Sequence, residues 1–143
     1  MMRGYTTVEQ SKKLAEILPI ESADMHYVRK THDFMGNPID GEWSHPKYGN
    51  PNSKHANYIV QNFESYERIP CWSLAALLEQ LDDEITDEDG NDYNLTIVKE
   101  NLQYQLYYHD SWGQVDDIET DYYDDLVDAC YEMIIKLHEQ KLL

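Results

Sequence analysis

Residues 31–57 hold the side chains best suited to chemistry. Three of the six histidines (His32, His45 and His55) fall there, with Trp43 and Tyr48 between them. Neutral imidazole is the commonest metal ligand, and long connections often carry function, so Trp43, His45, Tyr48 and His55 form a candidate binding set. Their spacing matches no established ligand pattern such as H-E-x-x-H or C-x-x-C, so no metal site is expected. The competing reading is a loop folded over the core with Trp43 as its anchor. The stretch also contains three of the five prolines and three of the six glycines. It therefore reads as a long loop broken by turns, with one short strand near Trp43.

Other chemistry finds less support. Cys71 and Cys130 lie in apolar stretches, where burial raises a thiol's pKa and makes the sulfur inert. Two free thiols in a reducing compartment are expected rather than a disulfide. The sequence contains no G-x-S-x-G elbow, S-x-x-K or Gly-rich phosphate loop, so no catalytic residue and no cofactor are assigned. The acidic run 82–92 invites a calcium reading. Placing Gly90 at the sixth position of an EF-hand loop puts Ile85 first and Thr96 twelfth, where the motif needs Asp and Glu. Weak cation binding by Asp87, Asp89 and Asp92 is the residual form of that idea, against a solvated polar loop.

Charge is the strongest compositional signal. The formal net charge is −17, from 11 basic and 28 acidic side chains. Residues 1–81 have a net of −2 and residues 82–143 a net of −15. Direct contact with nucleic-acid backbone or an anionic membrane is disfavoured, because both require positive charge. No stretch of about 18 apolar residues exists to span a bilayer. Nor is there a signal-peptide pattern, and a cytoplasmic location is expected.

These residues need elements to position them. A helix is predicted over about Thr7–Leu18, with Thr6 and Glu9 as a capping box and Pro19 as its stop. Short strands are predicted at 23–29 and 57–63. In residues 69–85, Leu74, Leu77, Leu78, Leu81 and Ile85 recur at one helical face, which predicts a central helix. YNLTIVKE (93–100) and LQYQLYYH (102–109) alternate and predict an antiparallel hairpin turning near Glu100–Asn101. The last helix is predicted over about Asp121–Lys141 with Thr120 as its cap. Its apolar positions, from Tyr122 to Leu137, cover an arc of about 140°. Asp121, Asp124, Asp125, Asp128 and Glu132 would then form an acidic face opposite, one carboxylate per turn.

The predicted architecture is α+β: three helices packed on one face of a small antiparallel sheet of three or four strands, with a central hairpin near 93–109. A single globular domain, 1–143, with a long loop at about 31–57 is expected. The predicted core is Leu14, Leu18, Leu74, Leu77, Leu78, Leu81, Leu95, Ile97, Leu106, Leu126, Cys130, Met133, Ile134 and Leu137.

TTVEQSKKLAEILP, ADMHYV, IPCWSLAALLEQL, the YNL-type hairpin and DDLVDACYEMIIKLHEQKLL together resemble a group of small uncharacterised proteins. That group is common in phages and mobile elements of gut anaerobic bacteria. The resemblance covers about half the chain, and its most specific pieces are residues 70–74 and 126–129. It implies an origin and a compartment and carries over no site. The functional expectation is a non-enzymatic acidic accessory or interaction protein that binds a protein partner with a basic surface. In one form of that reading, the acidic face mimics nucleic-acid charge. The alternative is a small enzyme or metal-binding protein using histidines of the long loop.

Overall fold

A computed structural model describes residues 2–52 and 65–143. The chain forms two compact units, Tyr5–Ala76 and Leu77–Leu143, the latter joined by the segment ending at Gly4. Among the described residues, three α-helices and two antiparallel sheets make the fold α+β. His55 and the strand predicted at 57–63 lie outside the described residues.

In the unit Tyr5–Ala76, α1 (Val8–Leu14) is shorter than predicted and its cap lies one residue later. Thr7 and Gln10 form the capping box, because Thr6 has a different task. Buried Thr6 bonds the Ser11 hydroxyl through Oγ1, which also accepts the Trp72 backbone N–H at 3.1 Å. Strand β1 (Met25–His32) lies between β2 (Lys47–Tyr48) and β3 (Ser65–Cys71), in the order β2-β1-β3. Residues 69–71, predicted as the lead-in to a helix, instead pair with residues 25–27 of β1. Helix α2 is confined to Leu74–Glu79. Pairing with β1 takes residues 65–71 into the sheet, and at the other end Ile85, the last residue of the helical spacing, belongs to β4 (Glu84–Thr86). Met25, Tyr27 and Cys71 form a buried cluster with Tyr5, Val8, Trp43 and Ile69 packed against it.

The loop after β1 is tied back to that strand. Ile39 donates to the Thr31 carbonyl and Ser44 to the Val28 carbonyl, each at 2.9 Å. Between them, Gly41 passes so close that a Cβ there would collide with the Lys30 carbonyl oxygen. Asn50 Nδ2 then donates to the carbonyls of Ile20 and Ala23 at 2.6 and 2.8 Å. The short strand expected near Trp43 forms at Lys47–Tyr48.

In the unit Leu77–Leu143, β4 (Glu84–Thr86), β5 (Asp92–Glu100), β6 (Gln103–Asp110) and β7 (Ile118–Glu119) form a sheet in sequence order. The predicted hairpin is its centre, with Tyr93 opposite Asp110 and Glu100 opposite Gln103. Helix α3 (Leu126–Glu139) packs on β6. Leu77, Leu106, Cys130, Met133 and Ile134 are wholly buried, as predicted. Ile97 is not, at 43% exposed, although it stands opposite Leu106 on the same face. β4 covers β5 only at Asp92–Asn94, so Ile97 lies on an edge that nothing described extends.

The β5–β6 turn comes one residue later than predicted. Asn101 and Leu102 both have positive φ, 51° and 64°, as a two-residue type I′ turn requires. Asparagine tolerates this region, but leucine suffers its Cβ clash, and Leu102 is also 80% exposed. Leu102→Gly should therefore stabilise the protein by about 0.5–1 kcal/mol. A thermal melt should show a midpoint higher by roughly 2–3 °C.

The start of α3 corrects the prediction most. Thr120–Tyr123 remain extended: Thr120 donates to the Leu106 carbonyl at 2.9 Å, and Tyr104 and Tyr123 exchange backbone bonds. The helix cap is Asp125, not Thr120, with its side chain accepting from Val127 N–H at 2.9 Å. The buried Asp125 carboxylate also accepts the Arg3 backbone N–H at 2.8 Å. Asp125→Ala should cost about 1–2 kcal/mol from the lost cap and the orphaned donor. Urea titration would register this as a lower midpoint.

Candidate functional site

The loop residues first singled out as a binding set have unlike surroundings. Trp43 is half-buried, with Lys12 and Arg29 cations 5.8 and 5.0 Å from its ring centroid. Arg29 is held in turn by Glu67 at 2.7 Å. This is the anchor arrangement. His45 is exposed, and Tyr48 is 89% exposed on a strand of two residues. A hollow of about 340 Å³ lies beside β1, lined by Val28, Ile39, Ser44 and Tyr66 but by none of Trp43, His45 and Tyr48. His32 contacts its neighbour Thr31 through Nδ1 at 3.0 Å. Among the described residues, the best-enclosed imidazole is His26 on β1, whose Nδ1–H donates to the Gly49 carbonyl at 2.9 Å. Among the described residues, no three His, Cys, Asp or Glu side chains are grouped to hold a metal ion.

Both thiols are buried and free. Burial raises the Cys71 thiol's pKa, against weaker lowering by Thr6 and Ser11. The Cys130 thiol is pushed up to about 12, by burial first and by the Asp125 charge second. Both stay protonated near neutrality and are poor nucleophiles.

The acidic face predicted on the last helix does not form as one carboxylate per turn. Asp121 and Asp124 precede α3, and Asp125 is turned inward as its cap. Asp128 bonds the Arg3 guanidinium at 2.7 Å. Glu132 accepts the Asp121 backbone N–H at 3.1 Å and lies 3.8 Å from Lys136. Burial, then Glu132, pushes the Tyr123 hydroxyl up to about 12. Several of these carboxylates thus organise the approach to α3. Acidic residues suit both a cap and a first helical turn, so composition cannot separate the two.

A further run of solvent-exposed carboxylates lies at the other border of the sheet, along β4. Asp82, Asp83 and Glu84 are exposed, as are Glu88 and Asp89 in the β4–β5 turn. That turn is built around Asp87, whose side chain accepts from the Asp89 and Asn91 backbone N–H groups and from the Tyr93 hydroxyl. Bonds from the Asn91 side chain and backbone hold Asp87 below the usual carboxylate range. The turn and residues 140–142 enclose a hollow of about 400 Å³ that also exposes Lys141. Asp110, at the far end of β6, is fully buried. Burial pushes its carboxyl up, but backbone N–H groups of Trp112, Gln114 and Val115 outweigh this and hold it down. A depressed carboxylate contributes stability above its unfolded value and loses it as pH falls through the folded one. Unfolding followed by circular dichroism should therefore show stability falling once pH drops below about 3.8, the ordinary value for Asp87 and Asp110.

The charge division coincides with the structural one. Leu77–Leu143 with the segment ending at Gly4 carries four basic against 19 acidic side chains, a net of −15. Tyr5–Ala76 carries seven against nine, a net of −2. The sequence signals this asymmetry. It does not signal that, among the described residues, the β5 edge beside the exposed β4 carboxylates is left unpaired, because edges are set by which strands pair. No helix among the described residues is long and apolar enough to cross a membrane. No protein-family model, curated protein or solved structure matches the chain.

Proposed function

We propose that this chain is a non-enzymatic interaction protein whose Leu77–Leu143 unit binds a protein partner through a basic surface on that partner. The observation that carries this reading is the net charge of −15 gathered in one compact unit while the other carries −2. Like charges closer than the Debye length of about 8 Å repel one another, so such a surface costs folding free energy. It also draws cationic surfaces in and raises their association rate. Asp82, Asp83, Glu84, Glu88 and Asp89 are exposed together on one border of the sheet. They supply the focused part of that field.

Affinity capture from a cell lysate at about 50 mM and about 500 mM salt tests the reading. A partner held only at the lower salt, and lost with Asp82→Lys/Asp83→Lys/Glu84→Lys, is expected. A partner that ignores both changes, or the absence of any partner, would overturn the reading. Release of the captured partner by duplex DNA would identify the form in which the acidic surface mimics nucleic acid.

A further inference from the structure

We propose that the free edge of β5, from Thr96 to Glu100, is a docking edge that takes an extended basic segment of a partner as an added antiparallel or parallel strand. The proposal rests on the reading of the acidic unit above and names where and how the partner is held. Leu95 N–H donates to the Asp83 carbonyl at 2.9 Å, so odd-numbered residues of β5 direct their backbone groups toward β4. β4 itself pairs only with Asp92–Asn94. The outward N–H and C=O groups of Ile97 and Lys99 therefore lie on an edge to which no described strand is paired, while Thr96 and Val98 bond to β6. The open run of five residues is about 17 Å long, enough for main-chain recognition of a peptide.

Natural sheets guard such edges, most often with lysine. Here Lys99, the one basic residue of β5, has its ammonium 5.7 Å from the Tyr104 ring centroid, drawn over the neighbouring strand. Ile97 stands 43% exposed on the edge, and Leu102 is 80% exposed in a strained turn at its end. Strain at an exposed apolar residue is a feature that function can explain and stability does not.

Charge selects the occupant. The exposed Asp82, Asp83 and Glu84 flank the edge at the Leu95 end, and Glu100 is exposed at the other. A second copy of this unit would bring another −15 against the same border. A strand with basic residues toward its ends and an aliphatic one beside Ile97 matches both the charge and the apolar gap.

The test uses the full chain with the peptide Lys-Val-Lys-Val-Lys-Val-Lys, and the same peptide with glutamate for lysine as control. Amide hydrogen exchange is read residue by residue. The lysine peptide should slow exchange at Ile97 and Lys99 by about tenfold or more, leaving the already bonded Thr96 and Val98 little changed. The glutamate peptide should do neither. Ile97→Pro removes one outward N–H without touching the bonds to β6, and should abolish the lysine peptide's effect at Lys99. Unchanged exchange at Ile97 and Lys99, equal effects of the two peptides, or protection confined to Tyr5–Ala76 would overturn the proposal. So would protection of both amides by dimerisation without peptide. The wild-type exchange pattern decides the matter even if Ile97→Pro does not fold. If a lysate partner responds to salt and charge reversal but not to Ile97→Pro, the acidic-surface reading stands and the docking edge falls.

Discussion

Trp72→Ala is expected to lower the unfolding free energy of the Tyr5–Ala76 unit by about 3–5 kcal/mol. Trp72 is fully buried, immediately after β3. Its Nε1–H donates to Ser22 Oγ at 2.9 Å, its backbone N–H donates to Thr6 Oγ1, and its carbonyl accepts the Thr6 N–H at 2.9 Å. Truncation leaves a cavity and removes the indole bond to Ser22, whose hydroxyl keeps its bond to the Pro19 carbonyl, while the backbone bonds to Thr6 can persist. Trp72→Phe keeps most of the apolar volume and should cost less than half as much. Urea unfolding gives the magnitude. Hydrogen exchange gives the location, with β1 and β3 amides losing protection.

Leu106→Ala is expected to cost about 2–5 kcal/mol in the other unit. Leu106 is fully buried on β6, the strand that both carries α3 and pairs with β5. Its N–H donates to Thr120 Oγ1 at 3.1 Å and its carbonyl accepts from Thr120 at 2.9 Å. The side chain therefore fills the core at the place where the chain turns toward α3. The loss should appear in β5, β6 and α3 amides. A cost under about 1 kcal/mol would mean that the surrounding side chains collapse into the space.

Local pattern explains why some elements were readable and others were not. The hairpin at 93–109 was legible because apolar and polar residues alternate along most of both strands and each strand's partner is its own neighbour in sequence. The buried face of α3 was legible for the same reason: Cys130, Met133, Ile134 and Leu137 recur at helical spacing. Residues 69–71 were not, because the strand they join begins more than 40 positions earlier at Met25. The Leu74–Ile85 spacing is helical on paper. In the folded chain, Ile85 instead packs from β4, where it faces Tyr93. The acidic residues 121–125 fit a helix's first turns and an extended approach to a cap equally well. The bridge between Tyr104 and Tyr123 decides between them.

The amino-acid order alone determined the fold class, the central hairpin, part of the buried core and the concentration of negative charge toward the C-terminal end. All of these depend on residue type and short-range period. Tertiary pairing decided which carboxylates cap, bridge or face solvent, and where the sheet ends. Those outcomes depend on which distant backbone donors and acceptors find each other. The β5 edge is open because no other described segment pairs with it, and that cannot be read from the residues of the strand itself.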